Sequence, residues 1–205
     1  MIKVVVDNIG MKAHYIFLVL KEHDDQYGVT EKLHCMCGKN PTTVILVDQV
    51  TEGAACTVLL ARDEINNKKP LLIANSDQWV DWSPSHFKSY MRREKADGGI
   101  LTFLSDDPKW SFAKVEYLTN RITEVAEKKV ISNVATVGVY YFGKGSDFVS
   151  AAESMIAKNI RVNNEFYVCP VYNEMIAAGK KVLNYPIVNM KGLGTPADLE
   201  AFLKG

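Results

Sequence analysis

Residues 69–82 read KPLLIANSDQWVDW. An unbroken apolar run over 70–74 stops in small polar and acidic groups, Asn75, Ser76 and Asp77, and two tryptophans and a second acid, Asp81, follow. A continuous apolar run, as opposed to an alternating one, predicts a strand covered on both faces, and TVILV at 43–47 has the same character. Around these lie a strand pattern at 14–20 (HYIFLVL) and helical patterns at about 25–37 and about 53–65 (GAACTVLLARDEI). Strands alternating with helices are the signature of an α/β protein. The expectation is therefore a mixed, mostly parallel sheet with helices on both faces and KPLLIA as an interior strand.

The second half changes rhythm. A helix at 84–95 (PSHFKSYMRREK) gives way to GGILTFL, WSFAKVEYL, RITEVAEKK and ATVGVYYF, strands with few helices between them, which predicts a locally antiparallel portion within 98–142. Helices return at about 145–158 and 164–179, followed by a strand KVLNYPIV and a last helix opened by Thr195 and Pro196, residues suited to the N-cap and N1 positions. No internal repeat or low-complexity linker interrupts the 205 residues, a length that fits one domain.

Composition narrows the function classes. The chain is 47% hydrophobic and 23% charged, with 24 basic residues balancing 24 acidic ones, so no global field draws it to nucleic acid or an anionic membrane. YIFLVL at 15–20 is far short of the roughly 20 residues of a membrane span, and no charged segment leads into a signal-peptide core. A cytoplasmic protein with no membrane partner is expected. Cys35, Cys37, Cys56 and Cys169 form neither a disulfide framework nor a complete zinc site and read as reduced thiols. His14, His23, His34 and His86 show no convergent spacing, and no Gly-x-Ser-x-Gly elbow occurs.

In open α/β sheets ligands bind outside the carboxyl ends of strands, so Asp77, directly after a buried strand, stands where a hard cation meets a phosphate. A carboxylate there suits Mg²⁺, which takes one or two protein carboxylates and completes its shell with water and phosphate oxygens. The competing reading makes Ser76 and Asp77 the cap of a turn.

Six ordered segments decide between these readings: DQVTEGAACTVLLA (48–61), LLIANSDQ (71–78), FAKVEYL with ITEVAEKK (112–129), ATVGVYYF (135–142), NNEFYVCPVYNEMI (163–176) and GLGTPADLEAFL (192–203). Together they resemble the sugar-phosphate nucleotidyltransferase family over nearly the whole chain. The resemblance implies one domain, 1–205, with a Rossmann-like sheet of the nucleotide-diphospho-sugar transferase type. It also implies attack of a sugar 1-phosphate oxygen on the α-phosphate of a nucleoside triphosphate, with Mg²⁺ required and pyrophosphate leaving. On the matching positions, Gln49 and Gly53 face the nucleobase, and Asp77 binds the metal. Glu127 and Lys128 contact sugar hydroxyls and the sugar phosphate, and Gly138 and Glu165 line the sugar pocket. Asp77 and Lys128 would carry the catalysis.

Two departures from the family pattern shape the expectations. The family's opening strand and GGxGxR loop are not in the sequence, so the domain is N-terminally incomplete relative to the family, and 1–9 resembles the helix that follows the loop. The gap in the sheet would be filled by Ile2 to Val6 pairing as a strand, covered by a second copy of the chain in a homo-oligomer, or explained by truncation of a longer product. Gly192 occupies the place of a second metal-binding acid. Nucleotidyl transfer to a sugar 1-phosphate for a surface-polysaccharide precursor is the leading expectation, with nucleotide sugar binding more tightly than free triphosphate. The alternatives are a non-catalytic nucleotide-sugar-binding or oligomerisation relative, and a nucleotide-sugar-dependent glycosyltransferase.

Overall fold

The computed structural model describes residues 1–204. In chain order the elements are α1 (Ile2–Ile9), β1 (Tyr15–Leu20), α2 (Lys21–Tyr27), α3 (Val29–Cys37), β2 (Thr42–Val47), α4 (Ala54–Leu59), α5 (Arg62–Ile65), β3 (Leu71–Ala74), β4 (Gln78–Val80) and α6 (Pro84–Arg93). They continue with β5 (Gly98–Leu104), β6 (Ser111–Glu116), β7 (Arg121–Glu127), β8 (Val134–Phe142), α7 (Gly145–Ala157), α8 (Val171–Ala177), β9 (Val182–Pro186), β10 (Met190–Gly192) and α9 (Pro196–Leu203). Six strands form the main sheet in the order β3-β8-β5-β9-β7-β6, while β1 with β2 and β4 with β10 form separate pairs.

The mixed α/β class follows from how the sheet residues divide between two cores. Ile100 joins Phe142, Phe148, Met155 and Tyr172 in a cluster built with α7 and α8, whereas its neighbour Leu101 joins Val137, Val139, Phe87 and Met91 in a cluster built with α6. Successive strand residues point to opposite faces, so both faces of the sheet carry helices. The first cluster is closed by Tyr172, whose buried ring stacks on Phe142 at 4.7 Å and whose hydroxyl donates to the carbonyls of Gly99 and Tyr141 at 3.1 and 2.7 Å. The antiparallel portion within 98–142 is present as β5–β8, β6–β7 and β6–β8.

Several expectations are corrected. The sheet is not mostly parallel: among the described strands only β1/β2 and β5/β9 run parallel. Both β3 and β5 pair antiparallel with β8, and the short link between β6 and β7 makes a hairpin. Coverage on both faces shapes a strand's composition without fixing the direction of its neighbours. KPLLIA is also not interior, because β3 bonds only to β8 and is half-buried at every residue. β1 is alike, bonded only to β2 and half-buried throughout. Ile16 and Leu18 of β1 pack on the same cluster as Leu71 and Ile73 of β3. These side chains are partly buried there, and each strand has one backbone edge without a strand partner.

The segment from Ile2 to Val6 does not pair there. Ile2, Val5, Val6 and Ile9 recur at i, i+3, i+4 and i+7, and this helical period overrides their β-branched propensity; Val5 and Val6 are buried in α1. Asn8 ties α1 to β4, donating to the carbonyl of Val80 at 2.8 Å and accepting from its amide at 3.0 Å. The helix expected at 25–37 is divided at Gly28, that at 53–65 is divided into α4 and α5, and that at 164–179 begins only at Val171, after Pro170. No helix among the described residues is long and apolar enough to cross a membrane.

This bonding pattern orders the backbone amides. Strands β5 and β8, hydrogen-bonded along both edges, should hold the slowest-exchanging amides, and β1 and β3 should exchange faster on their free sides. Hydrogen exchange read by mass spectrometry or NMR checks this, and uniform protection of β1 and β3 on both edges would contradict it.

Candidate active site

The site is built outward from Gly138. Along β8 the pairing with β5 moves from Ile100↔Tyr140 to Thr102↔Thr136, so two extra residues of β8 are accommodated in a bulge around Gly138. Gly138 has φ +78°, and a Cβ there would lie 2.4 Å from the side-chain nitrogen of Asn75 and 2.9 Å from that of Gln78. Glycine is required on both counts, since an L side chain is strained in this region and has no room. The amide of Asn75 donates to the Gly138 carbonyl at 3.0 Å, which fixes the segment after β3 against the bulge. Gln78 is 5% exposed, and its Nε2 has no hydrogen-bond partner.

On the other side of the bulge is an acid–base pair. Glu127 ends β7, is 9% exposed, and accepts from the hydroxyl of Ser111, its cross-strand partner. Burial pushes its carboxyl above the usual carboxylate range; Ser111 and the Lys128 ammonium oppose that, and Glu165 adds to it. Lys128 adopts φ +51°, and its Nζ donates to the Tyr167 hydroxyl at 2.7 Å and lies 4.8 Å from that ring's centre. The Tyr167 oxygen raises the lysine's pKa, so the ammonium stays charged. Glu165 follows Asn163 and Asn164, both at positive φ, a conformation asparagine tolerates better than most residues.

A third segment meets the loop that carries Glu165 and Tyr167. Gly53, at φ +129°, meets the backbone of Phe166 so closely that a Cβ would lie 2.6 Å from its nitrogen and oxygen. The two segments are stitched by Phe166 N–H to the Glu52 carbonyl at 2.8 Å and Ala55 N–H to the Phe166 carbonyl at 2.9 Å. The Lys128–Tyr167 hydrogen bond brings the end of β7 to the loop that carries Glu165, and Gly53 meets Phe166, the residue after Glu165, whereas Gln49 is exposed and makes no side-chain hydrogen bond to them.

Asp77 is exposed, and its carboxylate makes no hydrogen bond or ion pair among the described residues. Its carbonyl accepts from Leu193 N–H at 2.6 Å, and its Oδ2 lies 2.9 Å from where a Cβ on Gly194 would stand. The acid nearest Gly192, Asp198, is engaged at the N-terminus of α9, where its Oδ2 accepts from the Thr195 hydroxyl at 2.6 Å. Among the described residues no group of three His, Cys, Asp or Glu side chains could hold a metal. One free carboxylate fits an ion that completes its shell with water and phosphate oxygens, as Mg²⁺ does, and does not fit an all-protein cage.

Ser111, Gln78 and Tyr167 were not singled out from the sequence. Gln78 stands beside Asp77 in the opening stretch, but nothing in the one-dimensional pattern shows that its amide is buried without a partner.

Comparison with known proteins fits this geometry. A family model described as nucleotidyl transferase matches residues 1–191. No curated protein matches the sequence. Among solved structures the chain is similar to a nucleoside-diphosphate-sugar pyrophosphorylase from Vibrio cholerae RC9, at 23% identity and TM-score 0.82 over 99% of this chain and 85% of that one. It is also similar to an inositol-1-phosphate CTP transferase from T. maritima, at 18% identity and TM-score 0.72 over 98% and 80% of the two chains. A third, HddC from Yersinia pseudotuberculosis, gives 12% identity and TM-score 0.64 over 97% and 80%. At these identities the likeness establishes the fold.

The bulge gives a direct test. Gly138→Ala forces an L residue into the left-handed region against the Asn75 amide and should cost about 1–3 kcal/mol of stability. Urea denaturation reads this as a lower midpoint at unchanged slope. An unchanged midpoint would show that the bulge tolerates a side chain.

Proposed function

The chain belongs to the nucleotidyl transferase family, and from that premise we propose that it joins a nucleotidyl group to a sugar 1-phosphate, in the cytoplasm, for a surface-polysaccharide precursor. The observation that carries the reading is the buried carboxylate of Glu127, held by Ser111, followed by the exposed ammonium of Lys128, which the Tyr167 hydroxyl ties to the loop that bears Glu165. A sugar phosphate needs both kinds of group: acceptors for its hydroxyls and a cation for its phosphate. Backbone that can be approached closely completes the pocket.

In this reaction an oxygen of the sugar 1-phosphate attacks the α-phosphorus of a nucleoside triphosphate. The new P–O bond forms as the bond to the β-phosphate oxygen breaks, and pyrophosphate leaves. Lys128 neutralises the attacking phosphate with its ammonium, and the Tyr167 hydroxyl holds that ammonium until ligand arrives. Glu127 and Glu165 orient the sugar through its hydroxyls, and Gln78 supplies an unpartnered amide donor beside the Gly138 cradle. Gly53 and Gln49 accommodate the nucleobase. Asp77 would hold Mg²⁺, which would supply charge neutralisation for the triphosphate. The protein contributes mainly alignment and electrostatics, as in phosphoryl chemistry generally.

A binding-only relative is favoured by one feature: Asp198, the acid near Gly192, is engaged by Thr195 at the start of α9. One experiment separates the readings. Asp77→Asn should leave stability within about 1 kcal/mol, since the amide is nearly isosteric, yet remove the Mg²⁺-dependent thermal shift given by nucleotide and sugar 1-phosphate, together with pyrophosphate release. Asp81→Asn should retain both. Equal shifts in wild type and both variants would overturn the metal role of Asp77, and a retained shift without pyrophosphate release in the wild type would favour binding alone.

A further inference from the structure

Glu127 precedes Lys128 and Glu165 stands two residues before Tyr167, yet among the described residues no ion pair joins Lys128 to either acid. Glu127 accepts from the Ser111 hydroxyl, and the Lys128 ammonium rests on a neutral group, the Tyr167 hydroxyl, with Nζ 2.7 Å from Oη and 4.8 Å from the ring centre. An ammonium held by a phenol keeps its charge for an arriving anion, whereas one held by a carboxylate is already compensated. Lysine has three N–H donors, of which one is spent here. Tyrosine has one O–H donor, and its oxygen is the acceptor in this bond, so its own proton is left over. No second hydrogen bond of the ammonium or of the phenol occurs among the described residues. Two N–H groups and one O–H thus stand on atoms 2.7 Å apart with no protein acceptor to receive them, and a hydroxyl that accepts from a cation is polarised into a stronger donor.

Both residues are carried on fixed backbone. The Lys128 N–H donates to the Trp110 carbonyl at 3.1 Å. Tyr167 follows a tight turn in which Val162 and Glu165 exchange backbone hydrogen bonds at 3.0 and 2.9 Å across Asn163 and Asn164, both at positive φ, as a type I′ turn requires. Its neighbours Phe166 and Val168 are 1% and 6% exposed, so the segment is anchored on either side of the ring. Lys128 itself is exposed and Tyr167 half-buried, which leaves the pair open to a ligand from water.

We propose that Lys128 and Tyr167 form a two-armed clamp for a phosphate monoester, in which the ammonium and the phenol hydroxyl donate to oxygens of the same phosphate. Tyr167 is then a ligand-binding residue and more than a rest for the lysine. Identifying the anion as the phosphate of a sugar 1-phosphate rests on the function proposed above; the clamp rests on the unspent donors.

The test is an NMR titration with inorganic phosphate and with glucose 1-phosphate, without Mg²⁺, of wild type, Tyr167→Phe, Lys128→Met and the double variant. Tyr167→Phe removes the hydroxyl and keeps the ring, and should weaken both ligands about tenfold, the scale of a hydrogen bond to a charged group. Tyr167→Leu, without hydroxyl or ring, should lose at least as much. The double variant separates an arm from a mere support for the lysine. With no ammonium left to hold, a supporting hydroxyl has nothing more to lose, whereas an arm still donates, so adding Tyr167→Phe to Lys128→Met should weaken glucose 1-phosphate again. No further loss in the double variant, undiminished binding in Tyr167→Phe, or a wild type that binds neither ligand overturns the clamp. If both losses occur but wild type binds glucose 1-phosphate no more tightly than inorganic phosphate, the clamp stands and the sugar-pocket reading fails.

Discussion

Strand β8 hydrogen-bonds to β3, β5 and β6, and the site depends on its being locally longer than its neighbours. The surplus length is absorbed around Gly138. Without the bulge, Thr136 and Tyr140 would stand too far apart to share a hydrogen bond, and the Asn75 and Gln78 amides would meet a side chain instead of open backbone. Asp77 precedes β4 and Gln78 opens it on one flank, while Glu127 and Ser111 belong to the β6–β7 hairpin. A single irregular residue thereby joins elements distant in sequence.

The charged groups divide by solvation. Lys128 and Asp77 are exposed, suited to charges that must meet a hydrated phosphate and its cation. Glu127 is withdrawn, where the low dielectric strengthens each hydrogen bond it accepts and makes an unpartnered charge costly. The Gly53–Phe166 junction brings two backbone segments together, and the Glu52–Arg161 ion pair, with Arg161 over the Phe166 ring, fastens it.

Part of the architecture was legible in the sequence, because period and punctuation report local structure directly: the locally antiparallel portion within 98–142 and the Thr195 cap follow from spacing, whereas the helix at 1–9 was expected through resemblance, with a strand at Ile2 to Val6 as an alternative. Neighbour relations were less so. PLLIA reads as covered on both faces, yet Pro70 is exposed and Leu71 to Ala74 are half-buried, and no local pattern says whether a strand bonds on one edge or two. Glu127, Lys128, Gly53 and Gly138 were reached through resemblance, and at these positions the structure has a buried acid, a lysine at positive φ and two glycines with no room for a Cβ. Ser111 stayed hidden because its surroundings come from β7 and β8, and a serine opening a strand has no signature of its own. Gln49, exposed and without a bond, shows the converse: a motif match carries no packing argument with it.

Lys128 stands in the left-handed region, where a residue chosen for backbone comfort alone would be glycine or asparagine. Selection for fold and selection for chemistry therefore disagree at this position, by about 1–2 kcal/mol. Consensus design or directed evolution for thermostability alone would tend to trade this lysine for glycine and lose the ammonium the proposed reaction needs. Position 128 is accordingly where a stability–activity trade-off is written into the backbone.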